Sequence, residues 1–168
     1  EQVVQLIPQR GAFVAKPTVE QAHDVFEARR LIEPGIIRRL MESLDNVKLQ
    51  RLQLHLKQEA DARQRDDARA IVRLSGEFHV LLAELAGNSA LLRSMRELST
   101  LTCLIISLYD APTATSCRAD EHEEIVAAVK RGDARAAESL MLHHLDHIEQ
   151  SLDLAAGSEE VDLESIFG

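Results

Sequence analysis

The chain contains no tryptophan, aromatic residues make up only 3% of it, and cysteine appears twice. So few aromatic side chains, in a sequence led by leucine and alanine, disfavour sheet and favour helix. Cys103 and Cys117 lack any CxxC-like metal spacing and are expected to be free thiols of a reducing cytoplasm. There is no apolar run of about 18 residues and no signal peptide, which argues against export and membrane spanning. Basic residues are outnumbered, 19 Lys and Arg against 28 Asp and Glu, for a net charge of −9. Such a chain is by itself a poor ligand for nucleic acid, whose phosphates need clustered cations. Any DNA contact is expected to lie outside most of it. Repeats, low-complexity segments and an HExxH motif are also missing.

What is there suits one domain plus a fragment of another: 168 residues, 45% of them hydrophobic and 28% charged. Residues 1–17 differ from the rest. Val3 to Ile7 and Ala12 to Ala15 read as strands joined by a turn at Pro8 to Gly11, with Lys16-Pro17 as a linker. A hairpin this small does not fold alone, and it reads as the end of a preceding domain. From Thr18 the pattern turns helical. Thr18-Val-Glu-Gln21 is a capping box after a proline, opening a helix over 19–43 that Pro34-Gly35 can bend. Asp45 or Asn46 opens a second helix ending near Gln64. Asp66 or Asp67 opens a third, with Ile71, Leu74, Phe78, Leu81, Leu82 and Leu85 as its stripe and Gly87-Asn88 as its stop. A fourth carries Leu91, Leu92, Met95, Leu98, Leu101, Ile105 and Leu108. Residues 109–115, with Pro112, read as a loop. Helices over 117–131 and 134–155 follow, split at Gly132-Asp133, and an acidic, disordered tail covers 157–168. The expected fold is all-α, an antiparallel bundle of about six helices behind a short β-hairpin.

Polar residues inside apolar stripes carry the chemistry, because burying them costs free energy unless they are paired or bound. His79 shares a face with Ile71, Ser75 and Leu82. His122 shares one with Ile125, Val126 and Val129, and His144 lies a turn from Leu140, Met141 and Ile148. Three helices each point one imidazole at the core. Imidazole is the usual side-chain ligand for zinc and nickel, and three leave positions open for water or a ligand oxygen. A lone histidine on an apolar face is more often a hydrogen-bonded core residue than a ligand, and each of the three also admits that reading. Arg29, between Phe26 and Ile32, needs an anion: a ligand carboxylate held by two parallel hydrogen bonds, or Glu33 one turn on. His143 and His147 read as solvated or interfacial, and His23 and His55 as surface residues. The run Asp120 to Glu124 reads as a solvated helix start.

The run Phe26-Glu27-Ala28-Arg29-Arg30-Leu31-Ile32-Glu33-Pro34 resembles the opening helix of the FadR-type C-terminal (FCD) domain of GntR-superfamily regulators. Phe78-His79 with Ala86-Gly87-Asn88 resembles its central motif. Glu121-His122, Gly132-Asp133-Ala134, Ala136-Ala137 and His144-Leu145 resemble its closing one. Arg10 to Val14 looks like the end of the wing of the winged helix-turn-helix domain that precedes it. The resemblance runs from residue 1 to about 155. It implies an effector-binding and dimerisation domain over 18–156 with an internal cavity, and a divalent metal, zinc or nickel, on His79, His122 and His144. The aspartate that completes the family's site is Ser75 here. The metal is then held by three histidines with water and effector, or the cavity binds its ligand without metal. Arg29, Ser75 and Asn88 are implied as effector-binding residues. The implied whole is a cytoplasmic, homodimeric repressor that answers to a small organic acid and meets operator DNA through its N-terminal domain. Two rivals remain: a metal-free dimerisation module for acyl ligands, and a three-histidine hydrolase with Glu121 or Glu124 as base.

Overall fold

The computed structural model describes residues 4–7, 11–14, 17–109 and 120–154. The turn at 8–10, Lys16, Pro112, Cys117 and the acidic tail lie outside them. Strands β1 (Val4–Ile7) and β2 (Gly11–Val14) pair antiparallel, Val4 opposite Val14 and Ile7 opposite Gly11. Six helices follow among the described residues: α1 (Val19–Glu42), α2 (Asn46–Gln64), α3 (Ala68–Leu85), α4 (Ser89–Tyr109), α5 (Glu121–Arg131) and α6 (Ala134–Ser151). None is long and apolar enough to cross a membrane.

Local chemistry sets the ends. Thr18 accepts from the Gln21 amide while the Gln21 side chain accepts from the Thr18 amide, so two orphan donors of α1 are satisfied at once. Asp45, Asp67 and Asp133 each accept from the backbone three residues on, opening α2, α3 and α6. Asn88 opens α4, its Oδ1 accepting from the amides of Ala90 and Leu91. Gly132 ends α5 in the left-handed region, φ +75°, where a side chain would strain the backbone. Pro34 is buried inside α1, which continues past it to Glu42.

Short connections fold the helices back on one another, and α1 lies at the centre against α3, α4 and α6. Helix α3 also packs on α2 and α4, and α5 on α2 and α6. The core is drawn from every helix: Phe26, Leu52, Phe78, Met95, Ile105, Ile125 and Met141 are fully buried. Three expectations need correction. Helix α6 stops at Ser151, not 155: Leu152 turns extended and the Asp153 amide donates to the Tyr109 carbonyl (2.8 Å), tying the chain to the end of α4. Helix α5 starts at Glu121 rather than 117. Leu108, expected in the α4 stripe, is 43% exposed, because the buried face at the end of α4 runs through Ile105, Ile106 and Tyr109 and leaves Leu108 to one side.

Candidate metal centre

His79, His122 and His144 are each buried to 1–2% exposure, and they arrive from three helices. The hydrophobic stripe of α3 carries His79 inward, the first turn of α5 carries His122, and the middle of α6 carries His144. The fold brings the three together. Nε2 of His144 lies 3.1 Å from Nε2 of His122 and 3.3 Å from Nε2 of His79. The rings interlock: Phe78 stacks on His122 with centroids 4.0 Å apart, and His79 stacks on His144 at 5.3 Å.

A carboxylate holds the far side of each ring. Glu33 Oε2 lies 2.6 Å from His79 Nδ1, Glu59 Oε1 2.9 Å from His122 Nδ1, and Glu121 Oε2 2.7 Å from His144 Nδ1. With Nδ1–H donating to a carboxylate, each neutral ring presents the lone pair of Nε2 to the centre. Three lone pairs at about hydrogen-bond distance repel unless a cation sits among them. Zinc–nitrogen bonds of about 2.0–2.1 Å at tetrahedral angles separate ligand nitrogens by about 3.3 Å, close to the spacings found. Carboxylates behind each ring are the arrangement that fixes tautomer and orientation in metal sites. The donor set therefore fits a divalent ion of the zinc or nickel type, and it contains no thiolate.

The electrostatics agree. Burial pushes His79 down to about 3 and His144 to about 4, against the partial opposition of Glu33 and Glu121, so both rings are neutral and able to ligate. Burial would raise Glu33, but Arg29 and then His79 overcome it and hold the carboxyl at about 2. Glu59 is likewise held at about 2, burial being outweighed by His122 and His55.

Arg29 stands beside this cluster, 1% exposed. Its Nε donates to Glu33 Oε1 (2.6 Å) and its Nη1 to Thr102 Oγ1 on α4 (3.1 Å). The salt bridge to Glu33 is therefore made, and it does not exhaust the guanidinium: Nη2 is buried without a partner. Its charge depresses both His79 and His144, which places it within electrostatic reach of both rings. Ser75 is buried one turn before His79. Asn88, expected at the effector, is engaged in capping α4.

Sequence reading missed four residues. His55, expected on the surface, is 7% exposed, its Nε2 donating to the Leu74 carbonyl (2.9 Å) and lying 3.2 Å from Glu59 Oε1. Glu59 itself had no hydrophobic stripe to reveal it, although His55 and Glu59 are one turn apart and so share a face of α2. Glu121, read as part of a solvated helix start, is buried against His144. Glu33 was seen only as a partner for Arg29, and it also holds His79. His143 and His23 are exposed, and His147 is half-buried with Nδ1 3.0 Å from Glu121 Oε1.

Against known proteins, residues 24–147 match the family described as the FCD domain. The chain is 25% identical over 151 residues to the HTH-type transcriptional repressor RspR of Escherichia coli, covering 89% of this chain and 66% of the relative. It is 30% identical over 143 residues to the HTH-type transcriptional regulator LutR of Bacillus subtilis, covering 79% of this chain and 63% of the relative. It thus spans about two thirds of the length of these curated relatives. Among solved structures, a GntR-type putative transcriptional regulator of a Rhodococcus species superposes with a TM-score of 0.77 at 22% identity, covering 94% of this chain and 75% of the other. E. coli McbR/YncC superposes at 0.74 with 15% identity, covering 86% and 73%. Those whose names state a role are transcription regulators rather than enzymes.

Proposed function

The chain belongs to the FCD domain family, and from that premise we propose that it is the effector-sensing domain of a bacterial transcription regulator, holding a divalent metal on His79, His122 and His144 and a small organic carboxylate between that metal and Arg29. The regulator is a cytoplasmic homodimeric repressor that meets operator DNA through a winged domain ahead of residue 18. The observation that carries the reading is the pairing of three convergent Nε2 atoms with an unpartnered buried guanidinium nitrogen. A bound divalent ion supplies a Lewis-acidic point charge to which an effector oxygen is drawn. With Ser75 at the position of the family's aspartate, a bound ion would have imidazoles and no carboxylate among these ligands, and so would keep more of its charge for an effector oxygen, while Glu33, Glu59 and Glu121 balance part of it from behind the rings. Arg29 then donates from Nη2 to the carboxylate while Glu33 and Thr102 hold its other nitrogens in place.

The signal leaves along α4. Thr102 on this helix holds Arg29, and Tyr109 at its end donates its hydroxyl to the Pro17 carbonyl (2.7 Å), one residue before the cap of α1. An effector that favours one position of Arg29 biases α1 against α4, and with them the entry of the preceding segment. It does so only through differential affinity for the two arrangements.

Elemental analysis of the purified domain, followed by calorimetry of the zinc- or nickel-loaded protein against small mono-, di- and hydroxycarboxylates, tests the reading. Stoichiometric metal and at least one saturable carboxylate are expected. Arg29→Lys, which keeps the charge opposite Glu33, is expected to weaken the carboxylate about tenfold or more with metal affinity retained. A domain that takes up neither zinc nor nickel and binds no carboxylate defeats the proposal.

A further inference from the structure

Helices α3 and α4 carry a second feature on their outward side, an open groove of about 760 Å³. Its walls include Val72, Gly76 and Val80 from α3 with Ser99 and Cys103 from α4. Gly76 shapes it: a Cβ at that position would lie 2.6 Å from Cys103 Sγ, so the glycine lets the two helices approach here. The Cys103 thiol in turn lies 3.5 Å from the Val72 carbonyl. Two observations point to a ligand. The Ser99 hydroxyl is buried in the wall without a hydrogen-bond partner, its residue 4% exposed, and a buried donor left this way calls for an acceptor. The rim is also cationic. It holds Arg69, Arg73 and Arg96 against one acid, Glu77. Arg73 is taken up by Glu77 (2.7 Å), whereas Arg69 and Arg96 make no ion pair among the described residues. In a chain of net charge −9, two uncommitted arginines beside an apolar groove mark a place for an anion. Arg96 and Ser99 are three residues apart on one helix face, so one carboxylate can accept from both.

We propose that this groove is a second ligand site, separate from the histidine cluster, for an amphipathic carboxylate whose apolar body lies on Val72 and Val80 and whose head group meets Arg96 and Ser99. The volume is in the range of small-molecule pockets. The site lies on the same two helices that hold His79 and Thr102, so its occupant reports to the helices through which the effector acts.

The thiol of Cys103 in the groove wall gives a direct readout. In a Cys117→Ser background the alkylation rate of Cys103 is measured against octanoate and, as the neutral control, octanol. Octanoate is expected to protect Cys103 saturably, about tenfold more tightly than octanol. Arg96→Glu and Ser99→Ala are each expected to weaken that protection, with zinc uptake at the three histidines unchanged. Equal protection by octanol and octanoate, or protection indifferent to Arg96→Glu, overturns the proposal. So does protection that follows protein concentration rather than octanoate, since a second copy of the chain then covers the groove. Protection that vanishes in Arg29→Lys also overturns it, because the probe is then bound at the metal centre.

Discussion

Replacing Glu33 by glutamine tests the centre at its most connected residue. The Glu33 carboxylate accepts from Arg29 on one oxygen and from His79 on the other, at 2.6 Å each, and is 2% exposed. Glutamine keeps the shape and one acceptor but removes the charge that balances a buried guanidinium. Breaking a buried pair from one side costs about 3–5 kcal/mol. Because the amide oxygen retains one hydrogen bond, the expected loss in the metal-free domain is near the lower end, about 3 kcal/mol. For a chain of this length that is a drop in Tm of about 6–12 °C. Loss of the group that orients His79 is expected to lower zinc affinity about 10–100-fold, read by competition with a chelator of known affinity. The double variant Arg29→Met/Glu33→Gln separates charge from shape. With both charges gone nothing buried is left uncompensated, and stability is expected to return to within about 1 kcal/mol of the parent. If Glu33→Gln leaves Tm and zinc affinity unchanged, or if the double variant is as unstable as the two single losses added, then Glu33 is not the residue that couples Arg29 to the histidines.

Three further outcomes are expected. Saturating zinc at about 100 times its dissociation constant adds about 2.7 kcal/mol to the folded state and raises Tm by about 5–10 °C; His144→Ala, which removes the middle nitrogen, is expected to abolish this increment, and a surviving increment places the metal elsewhere. The metal-free domain is expected to lose stability as pH falls. His79 and His144 sit at about 3 and about 4 in the fold against an ordinary 6.5. Below about 6.5 the unfolded chain therefore takes up protons that the fold refuses, at about 1.4 kcal/mol per pH unit for each ring. Glu33, held at about 2, adds stability that is lost in the same direction below its ordinary 4.5. Urea midpoints that stay level from about pH 7 to pH 5 contradict neutral, buried rings. Gly132→Ala forces an L side chain into φ +75° and is expected to cost about 1–2 kcal/mol with zinc binding unchanged; a neutral result means that the end of α5 relaxes out of the left-handed region.

Periodicity and caps marked the helices because both are written in neighbouring residues. Thr18 with Gln21, the aspartates 45, 67 and 133, and Gly132 each act on backbone within a turn. They therefore placed α1, α2 and α3 to within about two residues. The end of α6 escaped because what stops it is an amide bonding across the molecule to Tyr109. Helix α2 shows the same limit in its packing. Its buried positions are Leu52, His55, Glu59 and Ala62, two apolar and two ionisable, so no stripe of hydrophobicity betrays the face that turns inward. Periodicity detects burial that the hydrophobic effect drives; burial that ion pairing makes tolerable leaves no such trace.

The sequence by itself determined that the chain is helical, where four of its six described helices begin (α1, α2, α3 and α6), and which three imidazoles lie on apolar faces. Those properties depend on local spacing and on which side chains leave water. Only the tertiary structure decided that the three Nε2 atoms meet within 3.1–3.3 Å of His144, that Glu33, Glu59 and Glu121 stand behind them, and that Arg29 keeps a nitrogen free after pairing with Glu33. The reason is distance along the chain: His79 and His144 are separated by 65 residues. Which charge neutralises which across such a gap is settled by the packing of α1, α3, α5 and α6 rather than by any residue's neighbours in sequence.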